Sequence, residues 1–260
     1  MLNCRTLFLS DVHLGCKDCQ AGYLLNFLQH CQADTIYLLG DIVDVWAMRR
    51  QVHWTTEQNQ LLRCLLDKAD QGCKVVYIPG NHDESMRLYA SKQFGNIKIA
   101  LRASHVTAQG KKLLLLHGDE FDKEVNFGRL HAWMGDTLYD LLLFLNRWYN
   151  RLRRFCGGRY FSLAAYIKSK VPGAKKAIAR YRQAAVDMAK RGGYDGVVCG
   201  HIHHPEISLQ DGIIYCNDGD WIDSCTALLE QHDGSLTLYH FSEQVAQLAS
   251  LPPRKKVAQI

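Results

Sequence analysis

The sequence contains no apolar run long enough to cross a membrane. The longest uninterrupted run near its middle, Leu141 to Leu145, has five residues, whereas a transmembrane helix needs roughly 20. A signal peptide is also missing, because the apolar segment Thr6 to Leu9 comes without a charged head or a small-residue cleavage site. We therefore expect a cytoplasmic protein whose ten cysteines are reduced thiols.

Acidic residues are nearly absent from one stretch of an otherwise acidic chain. The 260 residues carry 31 Lys+Arg and 26 Asp+Glu, which gives a formal charge of +5. Residues 147–191 hold 13 Lys/Arg and one acid, Asp187, so this stretch carries +12 and the rest carries 18 − 25 = −7. With 47% hydrophobic and 22% charged residues, the composition fits a globular protein and excludes a disordered or fibrous one.

Short aliphatic and β-branched runs alternate with amphipathic segments along the chain. The helical spacing of apolar residues between the first runs predicts crossover helices. Turns such as Asp211-Gly212 after residue 195 predict antiparallel hairpins. The sequence therefore predicts an α/β fold with mixed sheets. The predicted strands are Thr6–Ser10, Thr35–Leu39, Lys74–Ile78, Lys112–Leu116, Gly196–Cys199, Ile213–Cys216, Thr226–Leu229 and Leu236–His240.

A predicted helical insertion, from about residue 125 to residue 191, interrupts this pattern. Apolar residues recur there three or four positions apart, as at Leu130, Met134, Leu138, Leu141 and Leu145. We predict a single domain over residues 1–245 that includes this helical lid insertion. Residues 246–260, which contain a Pro pair followed by a basic run and lack an apolar pattern, are predicted to form a loose C-terminal tail.

Five short polar motifs directly follow predicted strands. Ligands collect at the carboxyl ends of strands in α/β sheets, so five such motifs are expected to converge on one site. Residues two apart, such as His201 and His203, point to the same side of an extended chain. The motifs are Asp11-Val12-His13, Gly40-Asp41, Gly80-Asn81-His82-Asp83, His117-Gly118-Asp119 and Gly200-His201-Ile202-His203.

Seven of these side chains, namely two Asp, one Asn and four His, offer carboxylate, amide or imidazole ligands to a metal. Such a set suits Mn²⁺, Fe, Zn²⁺ or Co²⁺ better than Ca²⁺ or Cu(I). Seven ligands are too many for one ion, but a bridging Asp41 would give two ions four protein ligands each. Two ions about 3.5–4 Å apart would activate a water and clamp both oxygens of an in-line displacement at phosphorus. The predicted reaction is hydrolysis of a phosphoester or phosphoanhydride bond. Taken singly, each histidine would instead be a hydrogen-bonded core or surface residue.

The ordered motifs from Asp11 to His203 resemble those of the calcineurin-like metallophosphoesterase superfamily. This resemblance implies a four-layer αββα sandwich of mixed sheets that binds two divalent ions. The first ion would be held by Asp11, His13, Asp41 and His203, and the second by Asp41, Asn81, His117 and His201.

The same resemblance assigns a catalytic role to His82. It implies that His82 stands near the substrate phosphate, where it stabilises the transition state or assists the leaving group, and that Asp83 orients it. Asn81, His82 and His201 are implied to contact the substrate. Asp218 and Asp220, which follow another strand, are candidates either for orienting a ligand histidine or for forming a turn.

Within the superfamily, the chain most resembles the UDP-2,3-diacylglucosamine diphosphatase group of lipid A biosynthesis. The length, the insertion and the strings His117-Gly118-Asp119-Glu120-Phe121-Asp122 and Gly219-Asp220-Trp221 carry this resemblance. It implies cleavage of a nucleotide pyrophosphate to UMP and an acylated sugar 1-phosphate, with Mn²⁺ as the metal, on the cytosolic face of the inner membrane. One position departs from this group, which has arginine where this chain has His82. Arginine is permanently charged and holds phosphate through two hydrogen bonds, whereas histidine titrates near neutral pH and can donate a proton.

The insertion has the composition of a lid that contacts lipid. Its aromatic residues and +12 charge favour peripheral contact with an anionic membrane, and the alternative is a lid with a solvated basic face. Two other functions stay open: a phosphodiesterase or nuclease whose basic lid grips a polyanion such as RNA, and a noncatalytic scaffold, which the complete ligand set disfavours. The apolar lid residues are Trp133, Leu138, Leu142, Phe144, Trp148, Tyr149 and Phe161.

Overall fold

Two mixed sheets form the centre of the protein. The computed structural model describes residues 2–125, 145–146, 148–150, 152–153, 155, 157, 172–242 and 245–253. The strands are β1 (Leu2–Leu9), β2 (Cys31–Leu38), β3 (Lys74–Tyr77), β4 (Gln93–Phe94), β5 (Ile97–Ile99), β6 (Ala103–Val106), β7 (Lys112–Leu115), β8 (Gly196–Cys199), β9 (Glu206–Gln210), β10 (Ile213–Asn217), β11 (Thr226–Glu230), β12 (Leu236–Phe241) and β13 (Val245–Leu251).

The larger sheet has eight strands in the order β13-β12-β11-β1-β2-β3-β5-β4, and the smaller has five in the order β6-β7-β8-β10-β9. β1, β2, β3 and β5 run parallel, as do β7, β8 and β10. The described helices are α1 (Ala21–Gln29), α2 (Val45–Arg50), α3 (Thr56–Asp70), α4 (Asp122–Val125) and α5 (Pro172–Arg191), with 3-10 turns at Glu84–Tyr89 and Asp119–Phe121.

Three apolar layers stack the helices and sheets into an αββα sandwich. On β1, Leu7 and Leu9 pack with α1 and α3, whereas Phe8 faces the other way into the layer between the sheets. β7 alternates in the same manner, since Leu113 joins the layer between the sheets and Leu114 packs against α5. This period of two in strands buried on both faces produces the predicted four-layer fold.

The helix α3 shows how the local sequence sets its ends. The Thr55 hydroxyl accepts a hydrogen bond from the Gln58 N–H at 3.3 Å, so the helix begins at a capped residue. Glu57 lies in its first turn and Lys68 in its last, which complements the helix dipole. Leu61, Leu65 and Ala69 form the buried stripe that contacts the larger sheet.

The larger sheet extends into the segment predicted to be a loose tail. Val245–Leu251 pairs antiparallel with β12 as β13, so the tail boundary at residue 246 is wrong as a boundary of secondary structure. Ala249 and Leu251 of this strand pack against the layer between the sheets. These tertiary contacts, rather than any apolar pattern in the strand, hold it. The short strands β4, β5, β6 and β9 were not predicted either, because each lies at or near a sheet edge where burial is partial.

Much of the predicted lid lies outside the described residues. This includes Leu130, Trp133, Met134, Leu138, Leu141, Leu142, Phe144 and Phe161. The described positions between 145 and 155 are all helical, and α5 forms the end of the insertion. Among the described helices, none has the length and apolarity that crossing a membrane requires.

Candidate metal centre

The structure brings all five polar motifs to one edge of the two sheets. Asp11, after β1, accepts a hydrogen bond from the His201 N–H, after β8, at 2.8 Å. Asp41, after β2, accepts one from the His82 N–H, after β3, at 2.8 Å. His117, after β7, lies 3.3 Å from Asp41. Each pair joins segments that are distant along the chain, so the site depends on the parallel arrangement of these strands.

Five of the seven predicted ligands have left-handed backbone conformations. The φ angles are 50° at Asp11, 53° at His13, 53° at Asp41, 68° at His201 and 51° at His203. For residues other than glycine, such conformations cost on the order of 1–3 kcal/mol each and cluster at functional sites. The fold therefore maintains local strain at the residues that the sequence marks as ligands.

One group of ligand atoms belongs to Asp11, His13 and His203, and these atoms lie within 4.8 Å of one another. The Asp11 Oδ1 atom is 3.1 Å from His203 Nε2 and 3.9 Å from His13 Nε2. Among the described residues, neither Asp11 Oδ1 nor His13 Nε2 has a hydrogen-bond partner, although both are buried. Buried polar atoms without partners are rare, and a carboxylate with two imidazoles is a donor set that suits a divalent cation. These residues fit a metal.

A second group consists of Asp41, His117 and His201, whose ligand atoms also lie within 4.8 Å. Asn81 belongs beside it, because its Oδ1 is 3.2 Å from His117 Nε2. The Oδ2 atom of Asp41 is 3.3 Å from His117 Nε2 and 4.0 Å from His13 Nε2. Asp41 thus contacts both groups, which is the position that a bridging carboxylate requires.

Hydrogen bonds fix which nitrogen of each imidazole faces the centre. His117 Nδ1 donates to the Leu39 carbonyl oxygen at 2.7 Å, and His13 Nδ1 donates to Asp44 at 3.0 Å. In both rings Nε2 is therefore the nitrogen that faces the other proposed ligands. In His201 the other ring nitrogen makes the outer contact, since Nε2 lies 2.7 Å from Asp122 Oδ1. Such outer partners orient metal-binding histidines.

Asp44 is a site residue that the sequence analysis missed. Its Oδ2 accepts from His13 Nδ1, and its Oδ1 lies 2.9 Å from His82 Nδ1. It also caps α2 by accepting the Ala47 N–H at 2.7 Å. Its position three residues after Asp41 was an available signal, although sequence spacing alone does not say that one carboxylate reaches two histidines.

The prediction that Asp83 orients His82 is wrong, because Asp44 takes that place. Asp83 is buried and accepts backbone N–H groups of Gly80 at 2.6 Å and Ile42 at 2.8 Å. It also accepts the hydroxyl of Tyr77. Asp83 therefore joins the loops after β2 and β3 and holds Asp41 and Asn81 in place. His82 lies with Asp41 and His13 within 4.8 Å, which places its ring against the centre.

Asp218 and Asp220 differ in their contacts. Asp220 Oδ1 accepts the backbone N–H groups of Ile222 at 2.8 Å and Asp223 at 2.5 Å, so it forms a turn, and it also lies 3.9 Å from His203 Nδ1. Asp218 instead accepts the Ser10 hydroxyl at 2.7 Å. The same Ser10 hydroxyl lies 2.5 Å from Asp11 Oδ2, so this pair supports a carboxylate ligand rather than a histidine.

The electrostatics of the centre favour bound positive charge. Burial alone would raise the pKa of Asp11, but His203 lowers it to about 2. Burial would likewise lower the pKa of His13, but its hydrogen bond to Asp44 and the charge of Asp41 raise it to about 9. For His117 the charge of Asp41 outweighs burial and raises the pKa to about 10. Carboxylates that stay ionised beside histidines that attract protons form a site where metal ions compete with protons.

Glycine is required where the loops approach the ligands. A Cβ atom on Gly40, which has a φ of 91°, would overlap the ring of His117. A Cβ on Gly200 would overlap the Ser10 hydroxyl and the Asp11 carboxylate. At both positions the backbone lies so close to a proposed ligand that a side chain would not fit.

The comparison with known families gives one match over most of the chain. A family profile described as Calcineurin-like phosphoesterase matches residues 4–205. A UDP-2,3-diacylglucosamine hydrolase from Photorhabdus laumondii is 26% identical over 262 residues, which cover 95% of this chain and 99% of that protein. The protein of the same name from Klebsiella pneumoniae is 27% identical over 213 residues, covering 78% of this chain and 83% of that protein.

Solved structures with similar folds are more distant in sequence. The E. coli phosphoesterase Yfce is 15% identical with a TM-score of 0.49, and the alignment covers 95% of this chain and 97% of that one. Vacuolar Protein Sorting 29 from Cryptosporidium parvum is 12% identical with a TM-score of 0.49, covering 95% and 96%.

Proposed function

Because the chain belongs to the calcineurin-like phosphoesterase family and is a metal-dependent phosphoester hydrolase, we propose that it acts with two divalent ions on a nucleotide-linked glycolipid. Mn²⁺ is the proposed metal, with Fe and Zn²⁺ as alternatives. The proposed substrate is UDP-2,3-diacylglucosamine or a close relative, which would yield UMP and an acylated sugar 1-phosphate. The reaction would take place in the cytoplasm, with peripheral contact to the cytosolic face of the inner membrane.

The observation that carries the two-metal proposal is the position of Asp41 between two groups of ligands. Asp41 Oδ2 lies 3.3 Å from His117 and 4.0 Å from His13, which belong to different groups. One ion would be held by Asp11, His13, Asp41 and His203, and the other by Asp41, Asn81, His117 and His201. Ions bound there would supply the Lewis acid that polarises a phosphoryl oxygen and lowers the pKa of an attacking water.

His82 is the proposed catalytic side chain that is not a ligand. Asp44 holds its ring through Nδ1, which leaves Nε2 to donate a hydrogen bond or a proton to a phosphoryl or leaving-group oxygen. The ring also packs against Trp46, with 4.4 Å between the ring centroids. Asp44 and Trp46 thus restrain the orientation of His82. Asn81 and His201 are proposed to contact the substrate as well.

Two observations support a lipid-linked substrate. Relatives that carry the name UDP-2,3-diacylglucosamine hydrolase match most of this chain. In addition, Leu145, Trp148, Leu152 and Phe155 recur with helical spacing in a segment that is helical at its described positions. Their exposed fractions are 46%, 59%, 63% and 90%, so this segment presents an apolar stripe that acyl chains or a lipid surface would cover.

The same insertion also carries exposed basic residues. Lys175, Lys176 and Arg180 of α5 are exposed, and residues 147–191 carry a formal charge of +12. Anionic lipids attract such a surface by about 1 kcal/mol for each basic residue near the membrane. We therefore propose that the insertion provides the peripheral membrane contact.

The test is a parallel assay of the Mn²⁺-loaded protein on three substrates: UDP-2,3-diacylglucosamine in detergent micelles, bis(p-nitrophenyl) phosphate and RNA. We expect release of UMP from the first at the highest kcat/KM, and loss of all activity after chelation with restoration by Mn²⁺. Hydrolysis of RNA or the aryl diester without release of UMP would refute the lipid substrate and favour a phosphodiesterase or nuclease. Inactivity toward all three with two ions bound would refute the hydrolytic site itself.

A further inference from the structure

A cavity of about 380 Å³ lies directly beside the metal centre and has no role in the metal binding described above. His117, a proposed ligand, forms one wall, and Pro79, which precedes the Gly80-Asn81 motif, forms another. The remaining wall residues are Arg87, Leu101, Arg102, Asp119 and Glu120. Because His117 is shared by the cavity and the centre, the cavity adjoins the place where the centre would hold a phosphorus atom.

Two ion pairs line the cavity and cancel in charge. Arg87 Nη2 donates to both carboxylate oxygens of Asp119, at 2.9 and 2.8 Å. Arg102 Nη2 donates to Glu120 Oε1 at 2.7 Å. Two guanidinium groups and two carboxylates sum to zero, so the cavity offers no excess positive charge for a further phosphate group.

The walls still offer many hydrogen-bonding groups. Within the described part of the chain, both arginines make these bonds through Nη2 alone, whereas a guanidinium has five N–H donors. The paired carboxylates likewise keep lone pairs beyond those used. Leu101 and Pro79 add apolar surface. Walls that combine donors, acceptors and some apolar surface complement a ring that carries several hydroxyl groups.

We infer that this cavity is a subsite for the sugar that is esterified to the scissile phosphate. The inference rests on the proposed function, since it takes the metal centre to hold that phosphate. The free N–H groups of Arg87 and Arg102 would donate to sugar oxygens, and Asp119 and Glu120 would accept from sugar hydroxyls. The ribose of a nucleotide and the hexose of a glycolipid share this chemistry, so the structure assigns the class of group rather than one sugar.

The experiment compares sugar-bearing and sugar-free esters. The probes are the p-nitrophenyl esters of uridine 5′-phosphate and of glucosamine 1-phosphate, each measured against bis(p-nitrophenyl) phosphate with the Mn²⁺-loaded protein. The variants are Arg102→Gln and Glu120→Gln, each of which removes the charge of one partner of a partly exposed pair. For each protein, the readout is the kcat/KM for a sugar ester divided by that for the aryl diester.

We expect this ratio to fall about tenfold in both variants for at least one sugar ester, because a hydrogen bond to a charged group contributes on the order of 1.5–3 kcal/mol. The ester affected identifies the sugar as ribose or hexose. Lys111→Gln is the matched control, since Lys111 pairs with Asp195 at 3.1 Å directly before β7, at the end of the smaller sheet opposite to the site. Its ratio should stay within about twofold of the wild type.

Two outcomes would overturn the inference, and they are distinguishable. Ratios that stay within about twofold of the wild type in both variants, including a parallel loss on all substrates, would show that the ion pairs only support the fold or the metal centre. Inactivity of the wild type toward all three esters, with both ions bound, would refute the proposed function together with the subsite.

Discussion

Asp44 and His82 form a pair in which the carboxylate Oδ1 lies 2.9 Å from the imidazole Nδ1, while the other oxygen of Asp44 accepts from His13. One buried carboxylate therefore orients both a proposed ligand and a proposed catalytic residue. We predict that Asp44→Asn lowers kcat about 10- to 100-fold, as is usual when an outer partner of a metal site is lost. Steady-state kinetics with Mn²⁺ would measure this. The control is Asp67→Asn, an exposed position on α3; an equal kcat for both variants would contradict the prediction.

Asp41→Ala should abolish hydrolysis, because it removes the side chain that contacts both ligand groups. We also expect the variant to bind fewer than two ions. Activity and metal content, the latter by elemental analysis of the dialysed protein, test this together. Near-normal turnover with full metal content would show that Asp41 is not a bridge.

His82→Ala should lower kcat by roughly 10²- to 10⁴-fold, the usual contribution of a positioned proton donor, while both ions stay bound. A ring nitrogen of His82 lies within 4.8 Å of ligand atoms of Asp41 and His13, so metal content is the informative control. Loss of an ion in this variant would show that His82 is a ligand and that its catalytic assignment is wrong.

Asp122→Asn tests a contact between the segment that precedes the insertion and the centre. Asp122 lies 2.7 Å from His201 Nε2 and begins α4. We predict that the affinity for one of two Mn²⁺ ions falls about 10- to 100-fold, because the imidazole loses its orienting carboxylate. Titration calorimetry would separate the two sites. Equal weakening of both ions, or of neither, would contradict a role through His201.

We expect Glu230, which lies away from the metal centre, to make a pH-dependent contribution to the stability of the fold. Its buried carboxylate accepts hydrogen bonds from Arg5 and Thr6 at 2.8 Å and from the Ala108 N–H at 2.7 Å, and it lies 2.7 Å from His105 Nε2. Burial opposes ionisation, but the hydrogen bonds from His105 and the Ala108 N–H lower the pKa of Glu230 below its usual value.

A lowered pKa means that this stabilisation is complete above the pKa of the unfolded chain and is lost as the pH falls through that of the folded chain. We therefore expect Glu230→Gln to lower the free energy of unfolding by about 1–3 kcal/mol at neutral pH. The difference from wild type should shrink below a pH of about 4.5. Urea unfolding of both proteins from about pH 7 to pH 3 measures it, and a difference that does not change with pH would contradict this account.

The ligand types and their order were readable from the sequence because each motif directly follows a strand with a strong apolar pattern. β7, Lys112–Leu115, ends two residues before His117, and β8, Gly196–Cys199, ends two residues before His201. Strand ends of this kind are local features, so the α/β class and the position of the motifs followed from spacing, whereas the four-layer sandwich was implied by the resemblance of the motifs to a known superfamily. The resemblance of the motifs to a known superfamily added the division of ligands between two ions.

The partners that hold those ligands were decided only by the tertiary structure. Asp44 reaches His13 and His82 from 31 and 38 positions away in the chain, and Asp122 reaches His201 from 79 away. No periodicity relates residues so separated, and Asp83, adjacent to His82, was consequently given the wrong partner. β13 was missed for the same reason, because its stability comes from pairing with β12 and from packing between the sheets. The sequence thus determined which groups are the candidates for the chemistry, and the packing of the two sheets determined how they are oriented.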